Sequence, residues 1–278
     1  MSVFERLADA IDGGVPVALV TVLDVDAAAS ATGGVRPGAK LLVGDGHVDG
    51  GLGNEGLDVA ATDDARGLLA QGQTGQRRYG PRGERRLDDV LVFIESFTPP
   101  PRMLVFGAID YAAAVARVGA LLGYHVTVCD ARKVFATPER FPGAQEVVVE
   151  WPHRYLERTA VDARTVICVL THDPKFDVPL LEVALATPAA YVGAMGSRRT
   201  HADRLQQLRR RGVPAAALDR LRSPIGLDLG ARTPEETAVS VAAEIIQCRW
   251  GGSGRPLSDT GGAIHAERPR DPVPGPTP

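Results

Sequence analysis

Apolar runs of strand length, punctuated by glycine and proline, organise the first 98 residues. Ser2 and Glu5 stand at capping-box spacing, and Gly13 closes the short helix that they open. Val17–Leu23 reads as a strand, with Pro16 just ahead of it where a missing N–H is tolerated. A Gly- and Ala-rich loop leads to a second strand at Ala39–Val43, Gly44-Asp45-Gly46 supplies hairpin chemistry, and a third short strand ends near Gly50. Leu57–Leu69 reads as a helix that closes near Gly72. Gln73–Arg86 reads as a polar, solvated loop whose arginines 77, 78, 82, 85 and 86 are diluted by Glu84, Asp88 and Asp89. Asp89–Phe97 has the pattern of a buried strand.

Pro99-Pro100-Pro101 can continue neither a strand nor a helix and forms a stiff spacer, so the chain divides there into residues 1–98 and 102–250. The second part alternates strand and helix patterns. Strands are expected at Met103–Gly107, His125–Cys129, Glu146–Val149, Thr165–Leu170 and Ala190–Gly193, and helices at Tyr111–Leu122, after Asp173-Pro174, at Arg198–Arg211 and from Thr233-Pro234-Glu235-Glu236 to Trp250. Such alternation means a parallel sheet with crossover helices. The expected fold class is therefore α/β, a Rossmann-like parallel sheet preceded by a smaller α+β domain. Gly251–Pro278, rich in Gly, Pro and Ser, reads as a disordered tail.

Composition narrows the function classes. With 278 residues, of which 44% are hydrophobic, the chain can fill one or two cores. A net charge of −3 exerts no global pull toward nucleic acid or anionic membrane. The cysteines, Cys129, Cys168 and Cys248, form no CxxC pair, which supports neither a disulfide framework nor a zinc knuckle and suits a reducing cytosol. No signal peptide is recognisable and no apolar run of 18 residues occurs, so a cytoplasmic protein without a membrane span is expected.

Three places carry candidate chemistry. The turn after the first strand of a Rossmann unit should read GxGxxG. Here it reads Gly107-Ala108-Ile109-Asp110-Tyr111-Ala112, with a β-branched residue where backbone should approach a pyrophosphate, and Asp110 suited to a helix N-cap. Asp130, ending the second strand, has the spacing of a ribose-binding acid. The turn argues against NAD(P). Gly196-Ser197-Arg198-Arg199 follows a strand and opens a helix, which offers free N–H groups, a positive helix end and two guanidinium groups to an anion. Thr171-His172-Asp173 lies just past a strand's carboxyl end, where ligands of open α/β sheets bind; His172 and Asp173 are the candidates for proton transfer, with Asp173 equally suited to capping the next helix. No metal site is expected.

Several segments resemble the XdhC/CoxI family, accessory proteins for xanthine dehydrogenase and related molybdenum hydroxylases. They are Arg36-Pro37-Gly38-Ala39-Lys40-Leu41-Leu42-Val43, Gly50-Gly51-Leu52-Gly53-Asn54-Glu55-Gly56-Leu57-Asp58, RFPGAQEVVV from Arg140, THDPKFDVPLLEVAL from Thr171, YVGAMGSRR from Tyr191 and SPIGLDLGARTPEETAVSVAAEI from Ser223. The resemblance implies a maturation factor rather than an enzyme. It would bind molybdenum cofactor (molybdopterin) transiently, protect it while a terminal sulfido ligand is installed with a cysteine desulfurase as partner, and deliver it to an apo molybdenum hydroxylase. A homodimer is implied as well. Gly50, Gly53 and Gly56 from the first domain and Gly107, Asp130, Thr171, His172, Gly196, Ser197, Arg198 and Arg199 from the second would then hold the cofactor across an interdomain cleft.

The chain departs from the family pattern at three points. The cysteine of the family's GGGCxE segment falls on Gly56, a second family cysteine has no counterpart in Gln73–Asp88, and the family's GAGH turn reads Gly107-Ala108-Ile109-Asp110. The missing thiols weigh against direct molybdenum ligation or a sulfur relay. Two alternatives stay open: an NAD(P)-dependent oxidoreductase with a degenerate glycine loop, and a cofactor-free protein with a scaffold or regulatory role.

Overall fold

A computed structural model describes residues 2–27, 34–171 and 173–261. Helix α1 (Val3–Asp12) opens on the expected capping box, Ser2 accepting from the Glu5 N–H and Glu5 from the Ser2 N–H. Strands β1 (Val17–Val25), β2 (Lys40–Gly44), β3 (Val48–Gly51), β4 (Gly75–Tyr79) and β5 (Val90–Phe97) form a five-stranded sheet in the order β3-β2-β1-β5-β4. Every pairing in it is antiparallel. Helix α2 (Glu55–Gln71) covers one face. The period-2 alternation of β1 explains why it is buried on both sides: Val17 and Leu19 pack with Leu7 of α1, whereas Ala18, Val20 and Val22 pack with Leu57, Ala61 and Ala65 of α2.

The arginine-bearing stretch expected as a loop over Gln73–Arg86 contains β4, which pairs with β5 from Gly75↔Ile94 to Tyr79↔Val90. The charged side chains hid the strand, yet charge is what an edge strand carries to discourage further pairing. Tyr79 anchors it, buried and donating to Asp64 at 2.5 Å.

The second sheet contains β6 (Arg102–Phe106), β7 (His125–Cys129), β8 (Glu146–Val148), β9 (Val166–Val169), β10 (Tyr191–Ala194) and β11 (Leu221–Arg222). All of its pairings are parallel and its order is β8-β7-β6-β9-β10-β11. Numbered from β6, that is the 3-2-1-4-5-6 order of a doubly wound nucleotide-binding sheet, with its switch point between β6 and β9. Helices α3 (Asp110–Leu121), α4 (Pro152–Arg158), α5 (Pro174–Ala186), α6 (Arg198–Arg210), α7 (Ala215–Leu218) and α8 (Pro234–Trp250) complete it. Met103, Val105, Val126 and Cys168 face α3 and α8, while Leu104, Phe106, Ile167 and Val192 face α4, α5 and α6.

Gly251–Gly261 includes a 3-10 turn at Leu257–Asp259 where a disordered tail was expected, and the remainder of that tail lies outside the described residues. Among the described residues no helix is long and apolar enough to cross a membrane.

The two sheets meet at the amino edge of the second. Arg164, two residues ahead of β9, donates to Thr98 Oγ1 at 2.7 Å and to the Pro99 carbonyl at 3.2 Å. Gly72, the left-handed cap of α2, sits against the same guanidinium.

Candidate functional site

The carboxyl ends of β6, β7, β9 and β10 bring most of the expected residues to one edge. Gly107 follows β6 with φ +109°, and a Cβ there would lie 2.8 Å from Thr171 Cγ2 and 2.9 Å from the Thr171 nitrogen. The turns after β6 and β9 are therefore in direct contact at the switch point, and only glycine permits it. Helix α3 begins differently from expectation. Ile109 is its N-cap, without a side-chain cap bond, and Asp110 is the first helical residue, ion-paired with Arg140 at 3.4 Å. An acid in the first turn complements the helix dipole without capping.

Asp130 is also engaged otherwise than as a free ribose-binding acid. Its side chain is 3% exposed and accepts from the Ala108 N–H at 2.7 Å and from Arg132 through the backbone N–H, Nε and Nη2 at 2.9, 2.9 and 2.7 Å. Burial pushes its carboxyl up, but the Arg132 fork and the two backbone N–H groups outweigh that and hold it below the usual range. The protein thus places its own carboxylate on a glycine-turn N–H of the kind that usually receives a dinucleotide.

Arg132, Phe135 and Arg140 complete this corner; of these only Arg140 stands in a family-like segment, and none is among the expected site residues. The guanidinium carbons of Arg132 and Arg140 lie 4.7 and 5.6 Å from the Phe135 ring centroid. Arg140 also donates to the Phe135 carbonyl at 3.2 Å. The available signal was an arginine two residues beyond the strand-end acid, the spacing that lets a side chain fold back onto it.

Asp173 caps α5, accepting from the Lys175 N–H at 3.1 Å, and pairs with Lys175 Nζ at 3.1 Å. Its structural role is therefore filled, and His172 lies outside the described residues. Gly196 leads into α6, where the Ser197 hydroxyl accepts from the Thr200 N–H at 3.1 Å. Arg198 and Arg199 are exposed, and neither guanidinium takes part in a hydrogen bond or ion pair among the described residues. The α6 start therefore keeps positive charge and N–H groups available to an anion.

Gly50 lies in β3, Gly53 just before α2 and Gly56 in its first turn, while the Gly72 end of that helix touches Arg164. Gly53 (φ +105°) packs on the Gly34 carbonyl. Gly56 packs on the Arg82 carbonyl, where a Cβ would lie 2.3 Å from the oxygen. The structure explains the departure at Gly56: the chain backbone occupies the space a cysteine side chain would need. The cavity that lies between the sheets, 230 Å³ lined by Gln71, Tyr124, Arg164, Tyr191, Cys248 and Arg249, opens at the opposite, amino edge.

Two of the three thiols are placed for packing. Cys129 and Cys168 are buried, and burial first, then neighbouring carboxylates, pushes both up to about 12. Neither is a thiolate near neutrality. Among the described residues no group of three or more His, Cys, Asp or Glu side chains is arranged to hold a metal.

Comparison with known proteins bears on the family and the fold. Residues 103–245 match the XdhC Rossmann domain and residues 10–80 the XdhC and CoxI family. A Bacillus subtilis protein named as a probable subunit of xanthine dehydrogenase is 33% identical over 158 residues, 57% of this chain and 46% of that protein. The molybdenum cofactor insertion chaperone PaoD of Escherichia coli is 29% identical over 157 residues, 56% of this chain and 43% of that protein. The chain spans about half the length of the curated relatives it matches. A crystal structure described as a xanthine dehydrogenase from Bacillus halodurans shares the fold, with a TM-score of 0.50 at 19% identity over 89% of this chain and 94% of that one. With its Rossmann half and most of its first domain matched, the chain belongs to the XdhC and CoxI family.

Proposed function

We propose that the protein is an accessory factor that takes up molybdenum cofactor at the carboxyl edge of the parallel sheet and passes it to a xanthine dehydrogenase-type molybdenum hydroxylase. The observation that carries this reading is the pair of unengaged guanidinium groups, Arg198 and Arg199, on the first turn of α6 beside the Thr171 turn. The similarity to a relative named as a molybdenum cofactor insertion chaperone supplies the ligand's identity.

The residues suit a phosphate-bearing pterin. The N–H groups at the start of α6 and the two guanidiniums receive the phosphate. The close Gly107–Thr171 contact and the Arg132–Phe135–Arg140 corner give the ring system a rigid polar and aromatic floor. When bound, the cofactor carries the molybdenum centre that the client uses; this chain binds, orients and shelters it. Cys129 and Cys168 stay protonated and buried and are unsuited to relaying sulfur, in keeping with a cysteine desulfurase as the source of any sulfido ligand. Exposed arginines on one helix turn make the grip reversible, as delivery requires. The factor works as a homodimer, with Gly50, Gly53 and Gly56 contributing to the cofactor site.

The test is the molybdopterin content of the purified protein after expression in a cofactor-producing host. The wild type should retain molybdopterin, and Arg198→Ala with Arg199→Ala should lose it and lower client activity. A wild type free of molybdopterin, or full client activity in a strain lacking the protein, overturns the reading.

A further inference from the structure

We infer that the buried ion pair Asp177–Arg204 is the positioning element of the carboxyl-edge site, setting the turns after β9 and β10 in one shared geometry. The choice of ligand rests on the cofactor reading above; the positional claim stands on the contacts alone.

Asp177 lies in the first turn of α5 and Arg204 in the middle of α6. Their side chains are 2% and 3% exposed, and Arg204 Nη2 meets Asp177 Oδ2 at 2.6 Å. The same Nη2 donates to the Met195 carbonyl at 3.0 Å, immediately before Gly196. Nη1 reaches the Ser223 hydroxyl at 3.4 Å, in the segment after β11. Asp177 also accepts from the Thr171 hydroxyl. A Cβ on Gly196 would stand 3.5 Å from Arg204 Nη1, so the guanidinium lies directly under that turn. One ion pair therefore ties together the Thr171 turn, the Met195–Gly196 turn and the β11 exit.

Stability does not account for such a pair. Removing two charges from water is costly, and well-packed apolar residues of similar volume often serve as well or better. What an apolar pair cannot supply is direction. A planar guanidinium fixes the angles of several acceptors at once, and here those acceptors are the turns that present Thr171, Gly196 and the α6 start. Arg204 is itself too buried to reach a ligand, so its effect on binding passes through those turns.

The experiment compares the wild-type chain with Asp177→Leu plus Arg204→Met. The double variant should melt at or above the wild-type temperature. Hydrogen exchange should quicken in the peptides through Leu170–Thr171 and Met195–Ser197 and stay unchanged in the interiors of β6 and β9. Molybdopterin retention should fall by roughly 10–100-fold, taking the scale from residues that orient the ligands of metal sites. Arg204→Lys, which keeps the charge and loses the fork, should fall between the two in both readouts. Wild-type exchange in both peptides of the double variant overturns the inference. If the wild type carries no molybdopterin, the cofactor reading fails while the exchange result still decides the positional claim. If the double variant does not fold, Thr171→Val and Arg204→Lys answer the same question: faster exchange in both turns supports it, and unchanged exchange sinks it.

Discussion

The Ala108 N–H donates to Asp130 Oδ2 at 2.7 Å, tying the turn after β6 to the tip of β7. The bond makes Asp130 part of the scaffold. Above the unfolded carboxyl pKa of about 3.9, the lowered value in the folded protein contributes stability, and that contribution is lost as pH falls through the folded value. Asp130→Asn should therefore destabilise the protein at pH 7 by about 1–3 kcal/mol, the cost of poorly satisfied partners. It should also flatten the loss of stability expected of the wild type below pH 4. Denaturant titrations at both pH values check this. Calorimetry with NAD, NADP and FAD should show nothing tighter than about millimolar, and micromolar binding that Asp130→Asn abolishes would revive the oxidoreductase reading.

Gly107 makes the switch point possible, because its positive φ and the 2.8 Å approach to Thr171 Cγ2 both exclude a side chain. Gly107→Ala should cost about 2–4 kcal/mol, a strained backbone plus an overpacked contact. Gly123→Ala serves as a control, since its φ of +82° carries the strain while nothing stands within 4 Å of its Cβ. Equal losses in the two variants would show that the Thr171 contact yields.

The parallel sheet was legible because its strands alternate with helices whose caps are written locally, as in Thr233-Pro234-Glu235-Glu236 and Asp173-Pro174. The β4 edge strand was not, because Arg77 and Arg78 meet solvent and leave no apolar alternation to read. Site residues on strand ends, such as Gly107 and Asp130, could be placed from order alone. Their partners could not. Arg132 folds back onto Asp130, Arg204 reaches Asp177 from another helix, and neither pairing has a periodic signature. How the sheets meet was not legible for the same reason: the contact of Gly72 with Arg164 joins residues far apart in the sequence.

The three thiols should separate cleanly by reactivity. Cys248 is exposed on α8, whereas Cys129 and Cys168 are buried with values pushed up to about 12. At pH 8 a thiol reagent should modify one cysteine per native chain and three in denaturant, with Cys248→Ser removing the native signal. Rapid native labelling of Cys129, which sits beside Asp130 at the site, would contradict the packing role given to it and reopen a sulfur relay.

Gly56 tests why this chain lacks the family cysteine there. Its backbone and that of Gly83 are pressed together: a Cβ on Gly56 would lie 2.3 Å from the Arg82 carbonyl oxygen, and one on Gly83 would lie 2.3 Å from the Gly56 oxygen. Both obstacles are backbone, which moves less readily than a side-chain tip. Gly56→Cys should therefore cost about 1–3 kcal/mol through overpacking, and the new thiol should react slowly in the folded protein. Gly67→Cys is the comparison, since that residue lies on the same helix with nothing within 4 Å of its Cβ; it should fold near wild-type stability and label readily. If Gly56→Cys is instead as stable as the Gly67 variant and labels as fast, the Arg82–Gly83 turn gives way. The thiol's absence would then reflect chemistry rather than room, and restoring it should be followed by molybdopterin retention in the same protein.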